Sequence, residues 1–424
     1  MVMNCLQEKN DALFMDNVRL ADIAAQAGTP TYVYSAANIR GQYEALTKAL
    51  CDHLPANRQP LICYACKANS HLAILSILQK CGSAIEAVSE GELRRAIKAG
   101  FAPEKIVSEG VGKTAEEIKL GLTHNIHQFN VESLGELRLI SEIATSLGKT
   151  ASVIFRVNPD IGGGANDQIT TGRKQDKFGM PLARVMEAYQ LAGTLSGIDA
   201  KGIHAHIGSQ VSEAASFEAL FSKLSAMTAD IRHAGHKVSR IDIGGGFPIR
   251  YRDEKLLDLA TYAQLVNKFI VPLETEIIIE PGRYFVGNSG ILLAKILYTK
   301  RGEDRNFLIL DAGMQTLVRP AMYGAWHDIQ PVENLSRALQ NYDIAGPICE
   351  SADMFGRDYT LPEMRAGEIA VIKSAGAYGM CMASSYNSHL LPAEVLVNNG
   401  SFEIIRPRQS YDALFANEII PATL

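Results

Sequence analysis

Four short stretches of this 424-residue chain carry side chains that could act together. Tyr64-Ala-Cys-Lys67-Ala-Asn69 ends an apolar run with a primary amine, and His206-Ile-Gly-Ser209-Gln210 offers a flat imidazole and, three residues on, a hydroxyl. Gly244-Gly245-Gly246-Phe-Pro presents backbone amides without side chains, a nest of the size that holds a phosphate. Glu280-Pro-Gly282-Arg283-Tyr284 adds a carboxylate and a guanidinium. Singly, each has a plainer explanation: a lysine after a strand is usually solvated, a glycine triplet is a tight turn, and a histidine in an apolar run is a hydrogen-bonded core residue.

The four together supply an amine for covalent attachment, a ring for stacking, a phosphate nest and a carboxylate for a ring nitrogen, which are the needs of pyridoxal 5'-phosphate. They act together only if one architecture brings them to one place. Between about residues 61 and 280 the sequence alternates apolar runs with helical patterns, and the runs are eight: LICYA, AIEAV, KIVSE, IHQFNV, SVIFRV, GIHAHI, RIDIG and EIIIE. Segments such as GELRRAIKAG and SFEALFSKLSAMTADIRHAG place apolar residues at 3.6-type spacing and close on glycine. Eight strands alternating with helices predict a (β/α)8 TIM barrel, whose active residues lie at the C-terminal strand ends, where all four stretches fall. A doubly wound sheet is the alternative reading. After Glu280 the rhythm becomes β-type, in ILLAKILYTK, NFLILDAG and EIAVIKSAG, and TPTYVYS near the start reads as part of the same β-rich domain. The predicted division is 36–281 for the barrel, and 1–35 with 282–424 for the second domain.

Three motifs suggest other chemistry. SEGVGKT ends like a nucleotide-binding loop, but Val107 stands where the first glycine is required. Cys63 and Cys66 have redox-pair spacing inside a strand run, where residues three apart face opposite sides, so two buried cysteines is the better account. His204-Ala-His206 could hold a metal, as in a metal-dependent TIM-barrel hydrolase, yet the later strand ends offer no further histidine, and no metal is expected.

Lys plus Arg at 41 against Asp plus Glu at 46 gives a net charge of −5, without the basic footprint of a nucleic-acid or anionic-membrane binder. No run approaches the roughly 18 apolar residues of a spanning helix. The start, MVMNCLQEKNDALFMD, is too polar for a signal peptide, and the seven cysteines are scattered and odd in number. A cytoplasmic enzyme acting on a small molecule is expected.

The blocks YACKAN, HAHIGSQ, GGGF and EPGRY, followed by DAGMQTLVRPAMYGAWH, GPICESAD and GAYGMCMASSYN, resemble in order those of the group IV, alanine-racemase-fold decarboxylases, which use pyridoxal phosphate. Within that group they are most similar to the diaminopimelate decarboxylases. The likeness runs from about Thr29 to Val397 and takes in VSEGELRRAIKAG, VGKT, QFNVES and RVNP, which accounts for the false nucleotide loop.

The resemblance implies decarboxylation of meso-2,6-diaminopimelate to L-lysine, the last step of lysine biosynthesis; ornithine, arginine or carboxynorspermidine is the alternative substrate. It implies that Lys67 holds the cofactor aldehyde, that His206 stacks on the ring, and that Ser209 with the backbone of Gly245 and Gly246 binds the phosphate, helped by Tyr378. Glu280 would keep the pyridine nitrogen protonated, and Arg283 would also lie at the cofactor. Cys349 would protonate Cα from the neighbouring subunit, implying a homodimer with shared active sites. Arg283, Arg319, Tyr323, Glu350 and Tyr378 match the family's substrate-binding positions. Departures from the pattern are SHLLPAEVLV after YN, Glu86 where Asp is common, and Asp176 before KFG; none is expected to touch the chemistry.

Overall fold

The computed structural model describes residues 5–162, 171–173, 175–334 and 336–424. They fall into two compact units, one of 1–39, 250–253 and 286–424, the other of 40–249 and 254–285.

The second of these is a closed eight-stranded parallel barrel. Its strands are β1 Leu61–Ala65, β2 Ala84–Ala87, β3 Ile106–Ser108, β4 Gln128–Val131, β5 Ala151–Arg156, β6 Ile198–His204, β7 Arg240–Asp242 and β8 Glu276–Ile279. Each overlaps one of the eight apolar runs, six lying wholly within theirs while β5 begins one residue and β6 four residues earlier, and β8 closes on β1 through Ile278↔Leu61 and Ile279↔Ile62. The doubly wound alternative is thereby excluded. Three intervening helices start on the same device, a Ser or Thr whose oxygen accepts the amide of a Glu three residues on: Ser89 with Glu92, Thr114 with Glu117 and Ser133 with Glu136. Thr114 is the threonine of the nucleotide-loop look-alike. Its lysine, Lys113, is buried, donating to the carbonyls of Gly110 and Asn130 and pairing with Glu136 at 2.8 Å. That Gly-Lys-Thr is therefore a helix start with a structural cation.

The lower, N-terminal end of the barrel is tied by Arg240, which donates to Glu276 at 2.7 Å, Gln128 at 3.0 Å and Ser152 at 3.2 Å. Although partial burial opposes it, the hydrogen bonds from His127 and Arg240 bring the Glu276 carboxyl down to about 2. Polar residues at this end of a barrel serve stability.

The other unit is built on a nine-stranded sheet. At its centre Thr31–Ser35 pairs antiparallel with Gly290–Arg301 and parallel with Ala393–Asn398. TYVYS alternates as a strand must. Val33 packs with Ile291, Leu293, Val371 and Val395, whereas Tyr32 donates to the carbonyl of Thr316 and Tyr34 to Glu394. Glu394, inside the divergent SHLLPAEVLV stretch, also pairs with Arg406. No helix among the described residues is long and apolar enough to cross a membrane.

Gly202 sits where β6 shifts register, and a Cβ there would lie 1.7 Å from the carbonyl oxygen of Arg240 on β7. Gly202→Ala therefore forces two bonded strands apart and is expected to cost about 2 kcal/mol or more, lowering the melting temperature by roughly 4–8 °C. A Cβ on Gly112 meets nothing within 4 Å. Differential scanning calorimetry should find Gly112→Ala within about a degree of the parent.

Candidate functional site

Lys67 follows β1 in a short 3-10 turn, Cys66–Ala68. Its Nζ lies 3.1 and 3.2 Å from the two carboxylate oxygens of Glu86, on β2. Here the sequence expectation is corrected, because the Glu-for-Asp departure at position 86 touches the amine on which the chemistry depends. Burial pushes the Glu86 carboxyl up to about 8, the Lys67 ammonium opposing and the Glu109 carboxylate adding to the rise. Asp176, by contrast, accepts from the backbone amide of Arg173.

Below Lys67 the barrel interior holds an ionic set that sequence reading did not assign. Arg156, at the end of β5, donates to Glu109 at 2.7 Å and to Glu132 at 2.8 Å, and its guanidinium lies 4.7 Å from the ring of Phe178. Buried His204, ending β6, stands between Glu109 at 3.6 Å and Glu280 at 3.3 Å. Against the effect of burial, His204, Arg156 and Lys67 hold Glu109 well below the ordinary carboxylate range. Glu280 and Asp242 go the other way: burial raises both, and neighbouring carboxyl groups raise them further. The signal for these residues was a charge inside an apolar run, Glu86 in AIEAV, Glu109 in KIVSE and Arg156 in SVIFRV.

The glycine triplet turns sharply after β7. Gly244 and Gly246 have φ of +68° and +101°, which suit glycine, and a Cβ on Gly245 would stand 2.0 Å from the carbonyl oxygen of Glu280. The amide of Gly245 donates to Nδ1 of His206 at 3.2 Å. That bond requires a lone pair on Nδ1, and burial with the nearby charges of Lys67 and Arg156 holds the imidazole well below its ordinary value, hence neutral. Arg283 donates to Oγ of Ser209 from Nε at 3.1 Å and Nη2 at 3.0 Å.

Pyridoxal phosphate can be tested against these groups. Buried Oε1 of Glu280 has no hydrogen-bond donor, and a protonated ring nitrogen would supply one. Ser209 with Arg283 offers a hydroxyl and a cation for a phosphate, the bare triplet lets backbone approach, and Lys67 is the amine. The donor set fits. Glu109, His204 and Glu280 also place ligand-type atoms within 4.8 Å of one another, the only such metal-compatible trio among the described residues. It excludes His206, half of the pair on which a metal reading rested, and Arg156 already supplies a cation to Glu109.

The remaining expected residues belong to the β-rich unit. Buried Arg319 and half-buried Tyr323 share the short helix Arg319–Tyr323, and half-buried Tyr378 has φ of +54°. Cys349 and Glu350 are exposed on a loop that Asp353 organises, accepting the amides of Met314 at 2.6 Å and Ile348 at 2.7 Å. Asn387 accepts the amide of Cys349 at 3.0 Å, and Tyr386 donates to Glu350 at 2.9 Å. Asp353 and Asn387 were not anticipated.

Comparison with known proteins places this geometry. Residues 37–287 match the family model described as "Pyridoxal-dependent decarboxylase, pyridoxal binding domain". The diaminopimelate decarboxylase of Zymomonas mobilis is 40% identical over 412 residues, 97% of each chain. Among solved structures, the diaminopimelate decarboxylase of Helicobacter pylori complexed with L-lysine is 36% identical with a TM-score of 0.89, covering 94% of this chain and 99% of that one. The enzyme of M. jannaschii, also in complex with L-lysine, is 34% identical with a TM-score of 0.94, covering 99% and 98%. With a barrel whose strand ends carry the amine, the acid and the phosphate-sized turn, this chain belongs to the diaminopimelate decarboxylase family of pyridoxal-dependent decarboxylases.

Proposed function

We propose that the chain decarboxylates meso-2,6-diaminopimelate to L-lysine and carbon dioxide, the last step of lysine biosynthesis, as a cytoplasmic homodimer with shared active sites. The observation that carries the reading is the amine of Lys67 and the acid of Glu280, whose buried Oε1 lacks a hydrogen-bond donor, at the ends of the neighbouring strands β1 and β8, in a chain 40% identical to a diaminopimelate decarboxylase. The bound L-lysine of the two solved relatives is the product expected here.

When bound, pyridoxal phosphate supplies a ring that accepts the electron pair left as carbon dioxide departs. The chain's residues do the rest. Lys67 would hold the aldehyde, and Glu86, whose carboxylate oxygens lie 3.1 and 3.2 Å from its Nζ, would orient it. Glu280 keeps a proton on the ring nitrogen, His206 stacks against the ring as a neutral imidazole, and Ser209, Gly245, Gly246, Arg283 and Tyr378 hold the phosphate end. Because the amide of Gly245 is engaged by His206, Gly245 serves chiefly by its lack of a side chain. Cys349 of the neighbouring subunit delivers the proton to Cα, and its exposure on a firmly held loop supports presentation to a second copy. Seven free cysteines among the described residues, Cys349 included, suit a reducing compartment.

Arg283, Arg319, Tyr323, Glu350 and Tyr378 form the substrate set. Diaminopimelate carries both an amine and a carboxylate at its far end. Arg319 matches the carboxylate and Glu350 the ammonium. Ornithine would leave the arginine without its anion, a cost of several kcal/mol and a discrimination of about a thousandfold. Assays of carbon dioxide release on meso-diaminopimelate, ornithine and arginine test this directly, and a wild-type preference for ornithine rejects it.

Two further outcomes are expected. Borohydride reduction of the yellow holoprotein, followed by peptide mapping, places the pyridoxyl group on Lys67; a label on another lysine sinks the assignment. Cys349→Ala lowers kcat far more than it raises KM, since a proton donor acts in the transition state. Mixing it with Lys67→Ala restores part of the activity through heterodimers, and no recovery after confirmed subunit exchange argues against shared sites.

A further inference from the structure

Of the two histidines in His204-Ala-His206, only the second has a part in the proposed reaction. The first ends β6, where it stands in register with Arg156 of β5 on one side and Asp242 of β7 on the other. Its side chain is fully buried, between two acids that enter from other strand ends. Nδ1 lies 3.6 Å from Oε1 of Glu109, which follows β3, and Nε2 lies 3.3 Å from Oε2 of Glu280, which follows β8. The same Oε1 of Glu109 accepts from Nη1 of Arg156 at 2.7 Å. Five buried polar atoms of this cluster have no hydrogen-bond partner: both ring nitrogens of His204, Oε1 of Glu280, Oε2 of Glu109 and Oδ2 of Asp242. Buried polar atoms are normally bonded, and a group of unbonded ones marks a functional place. Bonds that serve a reaction are often long until the ligand is seated.

The two oxygens of Glu280 are not equivalent. Oε2 is the one near the imidazole, and Oε1 is the one without a donor. To accept from a protonated ring nitrogen the carboxyl must be ionised, and its surroundings work against that. Burial, then the charges of Glu109 and Glu86, push it well up, opposed by the Lys67 ammonium and by a hydrogen bond with Asp242. A further donor at Oε2 favours the ionised form and does not compete for Oε1. We propose that His204 is a positioning residue for the cofactor's ring nitrogen: an N–H at its Nε2, turned to Oε2, keeps Glu280 ionised with Oε1 presented to that nitrogen, while Glu109, anchored on Arg156, holds the opposite edge of the imidazole. The inference rests on the reading of Glu280 as the partner of the ring nitrogen.

Two substitutions separate the two edges of the imidazole. His204→Gln can place its amide nitrogen near Nε2 and donate to Glu280; His204→Asn places one near Nδ1, toward Glu109, and offers Glu280 nothing. The full-length apoprotein is titrated with pyridoxal phosphate and with its analogue that has carbon in place of the ring nitrogen. The ratio of the two dissociation constants is the readout, with 15N NMR of the ring-labelled cofactor reporting the proton on that nitrogen. His204→Asn is expected to shrink the parent's preference for the nitrogen-bearing cofactor about tenfold, the lower end for a hydrogen bond to a charged group, and to leave the affinity for the analogue near the parent value. The ring-nitrogen resonance should move toward its unprotonated position, and His204→Gln should recover both. An unchanged ratio in His204→Asn overturns the proposal. So do an equal loss of affinity for both ligands and the same ratio in both variants, which would mark a structural role. Glu280→Gln serves as the reference: if it leaves the ratio at the parent value, the reading of Glu280 fails, whereas a collapsed ratio there with none in His204→Asn removes only the positioning role. Neutron diffraction from the parent holoenzyme needs no variant to fold; a proton on Nε2 of His204 is expected, and its absence overturns the proposal as well.

Discussion

The guanidinium of Arg156 is held inside the barrel between the carboxylates of Glu109 and Glu132, and much of the interior follows from that charge. Removing both acids would leave a buried cation uncompensated, and removing either takes away one of its two charge-assisted hydrogen bonds, so the trio acts as one unit. It joins the ends of three consecutive strands. Glu132 also accepts the amide of Gly179 at 2.7 Å, carrying the tie to the chain beyond β5. Around it stand more acids than fixed cations: Glu86, Glu280 and Asp242 join Glu109 and Glu132 against Arg156 and Lys67. In a buried set short of positive charge, burial and the neighbouring carboxyl groups push Glu86, Glu280 and Asp242 up. An interior of this kind is prepared for a ligand that brings an N–H donor of its own.

The barrel was legible because eight strands of a closed sheet must each bury both faces, which leaves eight apolar runs in the sequence. The strand-end residues were legible because the fold rule says where to look. What remained hidden were partners rather than positions. Lys67 could be chosen from one run, but the identity of its neighbour depended on the lateral pairing of β1 with β2, where Ala65 stands beside Glu86. One sequence does not print that register. Glu86 was seen as a departure and assigned no contact, although a glutamate in the middle of AIEAV, with nowhere to go but the barrel interior, held the necessary hint.

The nucleotide-loop look-alike shows the converse limit. Gly110, Gly112, Lys113 and Thr114 have the residue types of an anion site, and the helix they open does present amide groups. Thr114 nevertheless caps that helix, and Lys113 points back to two carbonyls and Glu136. Residue type was shared between two structural solutions, and beyond the missing first glycine at Val107 it is the partner acid, 23 positions away, that separates them. Asp353 belongs with this case. Nothing in GPICESAD marks it as the acceptor for the amides of Met314 and Ile348, because those bonds join segments far apart in the chain.

In the β-rich unit a different problem is met, that of holding a reactive group still without spending its reactivity. Cys349 is fixed through its backbone amide, taken by Asn387, while the thiol-bearing side chain stands exposed. The loop behind it is held by Asp353, whose carboxylate is occupied by backbone amides and needs no cation beside it. Arg319 meets the imidazole of His327 at 2.8 Å and the face of Tyr251 at 4.6 Å. The anchors of the Cys349 loop are hydrogen bonds to backbone amides, groups other than the thiol that would meet a ligand, so the order of the loop costs the thiol none of its reactivity.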